Sequence, residues 1–184
     1  MTQPVPVLLL TGPVGAGKST VAGEAARLLR DAHISHALVD LAHVADCFPV
    51  PPDDPWNERL TQRNLACLWA NFQAAGAERL ILCRVLEARS LLRHVTASVP
   101  GAAITVVRLR VRRDVLEERI RVREAGRDPA WYLGAAAYLA ETLEQAGVED
   151  FVVENEGRPA VEAAREALLL ARWLGSTTGA GDPV

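Results

Sequence analysis

Two periods of hydrophobic and polar positions alternate along the chain. Short apolar runs of strand length occur at Val5 to Leu10, His36 to Asp40, Arg79 to Val85, Ala103 to Leu109 and Phe151 to Glu154. After each comes a stretch whose apolar residues recur every three or four positions, the spacing of an amphipathic helix. Val21, Ala25, Leu28 and Leu29 mark the first helix. The second spans Asn57 to Ala77, with Leu60, Leu68 and Phe72 on one face. Further helices are predicted over Glu87 to Ser98, Arg113 to Glu124 and Trp131 to Gln145, and a last one opens at Pro159 and ends near Gly175. Proline cannot donate to a sheet ladder, so Pro6 puts the paired part of the first strand at Val7 onward. This order predicts an α/β fold: a five-stranded, doubly wound parallel sheet with helices on both faces. Residues 1–175 read as one domain, and the Gly-, Ser- and Thr-rich stretch 176–184 as a flexible tail. Ligands of such sheets sit at the carboxyl ends of the strands.

Composition narrows the class. The chain has 184 residues, 49% of them hydrophobic and 23% charged, and a net charge of −3. That length suits one domain able to bury a core without disulfides or metal. The charge gives no reason to expect nucleic acid as a partner. No apolar run approaches the ~18 residues of a membrane span, and no basic stretch precedes the N-terminal run as in a secretory signal. Cys47, Cys67 and Cys83 have no paired spacing and read as reduced thiols of a cytoplasmic protein. Cys67 and Cys83 are expected in the core, as are Trp69, Trp131 and Trp173. His33, His36, His43 and Cys47 do not make the closed four-ligand set of structural zinc. Of the 20 basic residues, 19 are arginine and the one lysine is Lys18.

That lysine lies in Gly12-Pro13-Val14-Gly15-Ala16-Gly17-Lys18-Ser19-Thr20, between an apolar strand and an amphipathic helix. The run fits G-x-x-x-x-G-K-[ST], and each residue type has a use there. Glycines let successive N–H groups turn inward on phosphate oxygens, and the helix N-terminus adds positive potential. Lys18 can reach the β- and γ-phosphates of ATP, and the Ser19 hydroxyl can ligate Mg²⁺.

With this loop and layout the chain resembles the P-loop kinases of small molecules, the group containing nucleotide, shikimate, gluconate, adenylylsulfate and chloramphenicol kinases. The layout extends over nearly the whole chain, but only the loop is specific. The resemblance implies a P-loop NTPase fold, ATP and Mg²⁺ as cofactors, and a small-molecule acceptor. It also implies that an acid ending the second strand, here Asp40, binds the acceptor hydroxyl or helps hold Mg²⁺; the competing reading is a cap on a short helix from Leu41 to Asp46. Leu116 to Arg123 resembles the lid pattern L-x-x-R-x-x-x-R of nucleotide-type kinases, with Arg127 in the following loop. Asn155, just past the fifth strand, falls where the family has its adenine-side loop. Trp56, with Arg63 and Asn64, falls where relatives place the acceptor, and forms either a wall for a ring or an aromatic helix cap.

The charge pattern supports part of this independently. Arg113, Glu117 and Arg121 are spaced as a solvated ion-paired face. Arg119 and Arg123 share another face and have no carboxylate three or four residues away, so a bound phosphate is expected between them. The third strand departs from pattern. Its exit, Cys83-Arg84-Val85-Leu86-Glu87, offers no acid to complete a Mg²⁺ shell before Glu87. Arg84 there either grips an anionic acceptor group or pairs with Asp40 or Glu87.

Two functions follow. The first is an ATP-dependent phosphotransferase in which Lys18, Asp40, Arg119 and Arg123 are catalytic. Residues Gly12 to Thr20, Arg119 and Asn155 would bind nucleotide; Asp40, Trp56, Arg63, Arg84 and Arg127 the acceptor; Ser19 and Asp40 the metal. The second is a nucleotide-binding or slowly hydrolysing switch, favoured by the missing acid. A polynucleotide-end kinase is disfavoured, since no basic stripe lies outside the lid.

Overall fold

Five strands make one all-parallel sheet in the computed structural model, which describes residues 4–126 and 128–175. The elements are β1 (Val5–Thr11), α1 (Lys18–Asp31), β2 (Ala37–Asp40), α2 (Glu58–Ala74), β3 (Leu80–Cys83), α3 (Leu92–Ser98), β4 (Ala102–Arg110), α4 (Arg113–Arg123), α5 (Ala130–Ala146), β5 (Phe151–Glu154) and α6 (Ala160–Leu170). The spatial order is β2-β3-β1-β4-β5. β1 is therefore central: the chain runs from it to the edge strand β2, returns to β3 beside β1, and then crosses to β4 on the other side. The loop after β1 thus opens at the switch point, where doubly wound sheets bind ligands.

Alternation along β1 divides the core. Leu8 and Leu10 pack with Val21, Ala25 and Leu29 of α1 and with Ala163, Ala164 and Ala167 of α6. Val7 and Leu9 face the opposite layer, with Leu65 and Trp69 of α2 and Val95 of α3. Successive strand side chains point to opposite faces, so a strand buried on both sides must be apolar throughout.

Pro6 is paired after all. The Val5 N–H reaches the Gly101 carbonyl at 2.9 Å, and Pro6 lies in register with Ala103. The Leu10 carbonyl, by contrast, accepts from Arg84 on the β3 side. Even-numbered residues of β1 therefore turn their backbone toward β3, and pairing with β3 begins only at Val7. The N–H that proline lacks would have had no partner there.

Four other expectations change. The segment from Glu87 to Ser98 is not one helix: Ala88 is extended (φ −149°, ψ 139°), followed by a 3₁₀ turn over Arg89–Leu91 and then α3. Residues 41–46 form turns rather than a short helix. In α2 the buried stripe is Thr61, Leu65 and Trp69, with Leu68 and Phe72 packed beside it, so Cys67 falls off the stripe and is exposed. Trp131 is also exposed, because α5 buries only Ala136 and Leu143. Trp69, Trp173 and Cys83 are buried as expected.

Candidate active site

The loop between β1 and α1 is shaped by two glycines. At Gly12 (φ 149°) a Cβ would stand 2.8 Å from the Leu109 carbonyl; at Gly17 (φ 86°) it would stand 2.7 Å from Asn155 Nδ2. Both positions need the left-handed backbone and the missing side chain. α1 begins directly after Gly17 with no side-chain cap and no acid in its first turn. Its first N–H groups are thus open to an anion.

Lys18 Nζ donates to the carbonyls of Gly12 (2.9 Å) and Pro13 (3.0 Å). Burial lowers its pKa, opposed by Cys83 and Asp40 and reinforced by the Arg123 guanidinium. An ammonium held this way is desolvated and aimed along the loop. The Ser19 hydroxyl donates to Asp40 Oδ2 at 2.5 Å, which joins α1 to the end of β2. The other carboxylate oxygen accepts the Ala42 N–H at 3.1 Å, so Asp40 closes a tight turn rather than capping a helix.

These groups line a cleft of about 870 Å³ together with Arg84, Arg119, Arg123 and Asn155. Eleven of the residues proposed from sequence therefore meet there: Val14, Gly15, Gly17, Lys18, Ser19, Thr20, Asp40, Arg84, Arg119, Arg123 and Asn155. His43, Glu124, Tyr132 and Arg158 also line it and were not anticipated. Glu124 and Tyr132 had a signal in the sequence, since they lie one residue after Arg123 and near the start of the next helix.

Neither Arg119 nor Arg123 is unpartnered. Arg119 donates to the carbonyls of Gly15 (3.4 Å) and Asn155 (2.7 Å). Arg123 pairs with the buried Glu124 at 2.8 Å and lies 5.1 Å from the Tyr132 ring centroid. The inference from missing carboxylates at three and four residues overlooked the adjacent one. Asn155 also differs from expectation: its Nδ2 donates to the Ala16 carbonyl at 2.8 Å and is buried, so it braces the phosphate loop from beneath.

At the end of β3 stands Cys83, whose Sγ–H points to the Lys18 carbonyl at 3.6 Å. Burial, then the Asp40 charge, pushes its pKa up to about 12. The thiol stays neutral and supplies no anionic ligand there. Arg84 pairs with Glu58 rather than with Asp40 or Glu87.

A second hollow of about 440 Å³ adjoins the cleft, with Ala42, Arg84 and Val85 lining both. Trp56 is in its wall. The hollow is built on polar ties: Asn57 Nδ2 donates to the Ala45 carbonyl (3.0 Å) and Asn64 Nδ2 to that of Val44 (2.5 Å). Asp54 accepts the N–H groups of Arg59 and Leu60 at the start of α2. Burial works against its ionisation, but N–H groups from Leu60, Arg59 and Glu58 hold its carboxyl below the usual range. Arg63 is not in this hollow; it lines a separate depression with Pro51, Asp53 and Gln62. Arg127 and the tail lie outside the described residues.

Another hollow, of about 670 Å³ between β4, β5 and α5, is rimmed by Arg108, Arg110 and Arg112, each paired with a glutamate. It lacks Lys18, Ser19 and Asp40, and touches the phosphate loop only at Pro13. No helix is long and apolar enough to cross a membrane among the described residues.

No protein-family model and no curated protein matches the chain. Solved structures do. A gluconokinase from Sinorhizobium meliloti 1021 is 20% identical with a TM-score of 0.59, over 94% of each chain. The Deinococcus radiodurans tunicamycin resistance protein is 16% identical at 0.63, over 92% of this chain and 95% of that one. The Mycobacterium tuberculosis APS kinase, in complex with AMPPNP and APS, is 21% identical at 0.54, over 93% and 99%. The resemblance first carried by the phosphate loop is thus one of the whole fold, that of P-loop small-molecule kinases.

Proposed function

We propose that this protein transfers the γ-phosphoryl group of ATP to a hydroxyl of a small acceptor. The observation that carries the reading is the contact of Ser19 Oγ with Asp40 Oδ2 beside Lys18. It brings a hydroxyl and a carboxylate, both hard oxygen donors, to the mouth of a phosphate loop. Mg²⁺ needs only one or two protein oxygens when phosphates complete its shell, so this donor set fits it. Among the described residues no cluster of three or more His, Cys, Asp or Glu side chains offers a dedicated metal cage. When bound, the ion neutralises charge on the β- and γ-phosphate oxygens.

The remaining work belongs to the chain. Loop N–H groups and Lys18 hold the β- and γ-phosphates in line, and Arg119 and Arg123 border the transferring group. Asp40 orients the acceptor hydroxyl and takes its proton as the new O–P bond forms and the bond from γ-phosphorus to the bridging oxygen breaks, releasing ADP. Arg119 and Arg123 must exchange present partners for phosphate, which suits a lid that tightens on nucleotide.

A second reading keeps nucleotide binding but not transfer. It is favoured by the neutral thiol at the end of β3, where no carboxylate supports the metal. ADP release with Asp40→Asn separates the two. The kinase reading expects ATP binding near wild type and acceptor-dependent turnover lower by about 10²-fold or more. A loss of nucleotide affinity in Mg²⁺ but not in EDTA gives Asp40 a metal role instead. Unchanged turnover removes Asp40 from catalysis.

A further inference from the structure

The hollow next to Asp40 has a charge of its own. Asp46, Glu58 and Glu87 line it against a single cation, Arg84. Arg84 is already paired with Glu58, while neither Asp46 nor Glu87 has an ion-pair partner among the described residues. An acidic acceptor would meet two unbalanced carboxylates and find the only guanidinium engaged. Its approach is disfavoured.

Two further observations point the same way. Asn57 Oδ1 and Glu58 Oε2 are shielded from water and accept no hydrogen bond. Buried acceptors without donors are costly, and both unsatisfied atoms here are acceptors. The terminal torsion of a glutamate is soft, so a modest rotation turns Oε2 toward a donor in the hollow. The Trp56 indole, 84% exposed, stands in the same wall. An aromatic face beside carboxylates is the surface that recognises a protonated amine. A neutral polyol would leave Asp46, Glu87 and the indole without a complement. At about 440 Å³ the hollow is of small-ligand size.

Resting on the kinase reading above, we infer that the acceptor is an alcohol carrying a protonated amine. The ammonium group is held among Glu58, Asp46, Glu87 and the Trp56 face, and the hydroxyl is presented to Asp40 through the opening lined by Ala42, Arg84 and Val85.

The test is turnover with ATP and Mg²⁺ across matched trios: glucosamine, glucose and glucuronate; serinol, glycerol and glycerate; with an aminoglycoside added. The amine of each trio should lead in kcat/KM by about tenfold or more, and the lead should shrink as salt rises. Glu87→Gln and Trp56→Ala, both at exposed positions, should narrow it. Glu58→Gln releases Arg84 and should move preference toward the acid; a merely structural role would lower all three members alike. Turnover that favours the neutral or acidic member overturns the inference and leaves the kinase reading intact. If no acceptor is phosphorylated, calorimetry of glucosamine and the aminoglycoside against the nucleotide-bound protein decides. Salt-sensitive binding that weakens in Glu87→Gln upholds the amine site while the kinase reading fails. Absence of binding overturns the inference.

Discussion

Replacing Asn155 by alanine probes the link between fold and site. Asn155 is 4% exposed; its side-chain Nδ2 donates to the Ala16 carbonyl at 2.8 Å, while its backbone carbonyl, which alanine would keep, accepts from Arg119 at 2.7 Å. Ala16 is itself fully buried, so the truncation leaves a loop carbonyl without a donor and out of reach of water. A hydrogen bond of this kind contributes about 1 kcal/mol, and an orphaned buried acceptor costs about 1–3 kcal/mol. A loss of about 2 kcal/mol is therefore expected, which for a chain of this size lowers Tm by about 6 °C. ATP affinity should fall with it, by about tenfold, because the loop is no longer held in the shape that fits phosphate. Asn155→Asp keeps the volume but sets a carboxylate oxygen against the Ala16 carbonyl, and should be worse than alanine on both measures. Differential scanning fluorimetry with and without ATP and Mg²⁺ reads both. If Asn155→Ala melts within about 1 °C of wild type and keeps its ATP-dependent shift, the brace plays no part in shaping the loop.

Arg119→Ala should weaken ATP binding strongly, whereas Arg121→Ala, whose side chain is 57% exposed and pairs with Glu117, should change Tm by no more than about 2 °C. Equal small effects would make α4 an ordinary charged face. In the folded protein iodoacetamide should label Cys47 and Cys67 but not Cys83, whose thiol is buried with a pKa pushed up to about 12; mass spectrometry finding Cys83 labelled at neutral pH would contradict its placement. A hydrogen bond from Arg108, then its charge, holds the Glu144 carboxyl below the ordinary value of 4.5. A depressed carboxyl stabilises the fold above its unfolded pKa, and that contribution is lost as pH falls through the folded value. The Tm difference between wild type and Glu144→Gln should therefore be present at pH 7 and vanish in acid; a pH-independent difference would refute the pairing.

Strand positions were legible in the sequence because a central parallel strand must be apolar on both faces, and β5 is found at the predicted Phe151–Glu154. Pro6 was misjudged because the penalty for proline depends on which neighbour its backbone faces, and register is not written in local composition. Cys67 and Trp131 were misplaced for a related reason. The buried stripe of α2 is set by what the sheet presents to it, and α5 lies at the margin of the fold where a large indole need not be covered.

Within the site, legibility followed chain distance. The loop from Gly12 to Thr20 is local, and each residue type there answers to a backbone angle or a phosphate oxygen. Asp40 was reachable by one long-range rule, that ligands meet strand ends, and the fold brings it against Ser19. The partners of charged groups were not reachable. Arg84 finds Glu58 across 26 residues, and Arg119 finds the carbonyl of Gly15 across 104. Charge spacing along a helix reports only neighbours on that helix, so it registered two arginines without partners where the fold supplies carbonyls, a carboxylate and a ring. The same correction reassigns Arg84. Read from the strand end alone it either grips an anion or pairs with Asp40 or Glu87; paired with Glu58 it leaves the neighbouring hollow acidic. The charge of the hollow is thus set by an ion pair between two elements, and on the proposed reading the charge of the acceptor follows from the fold rather than from the motif.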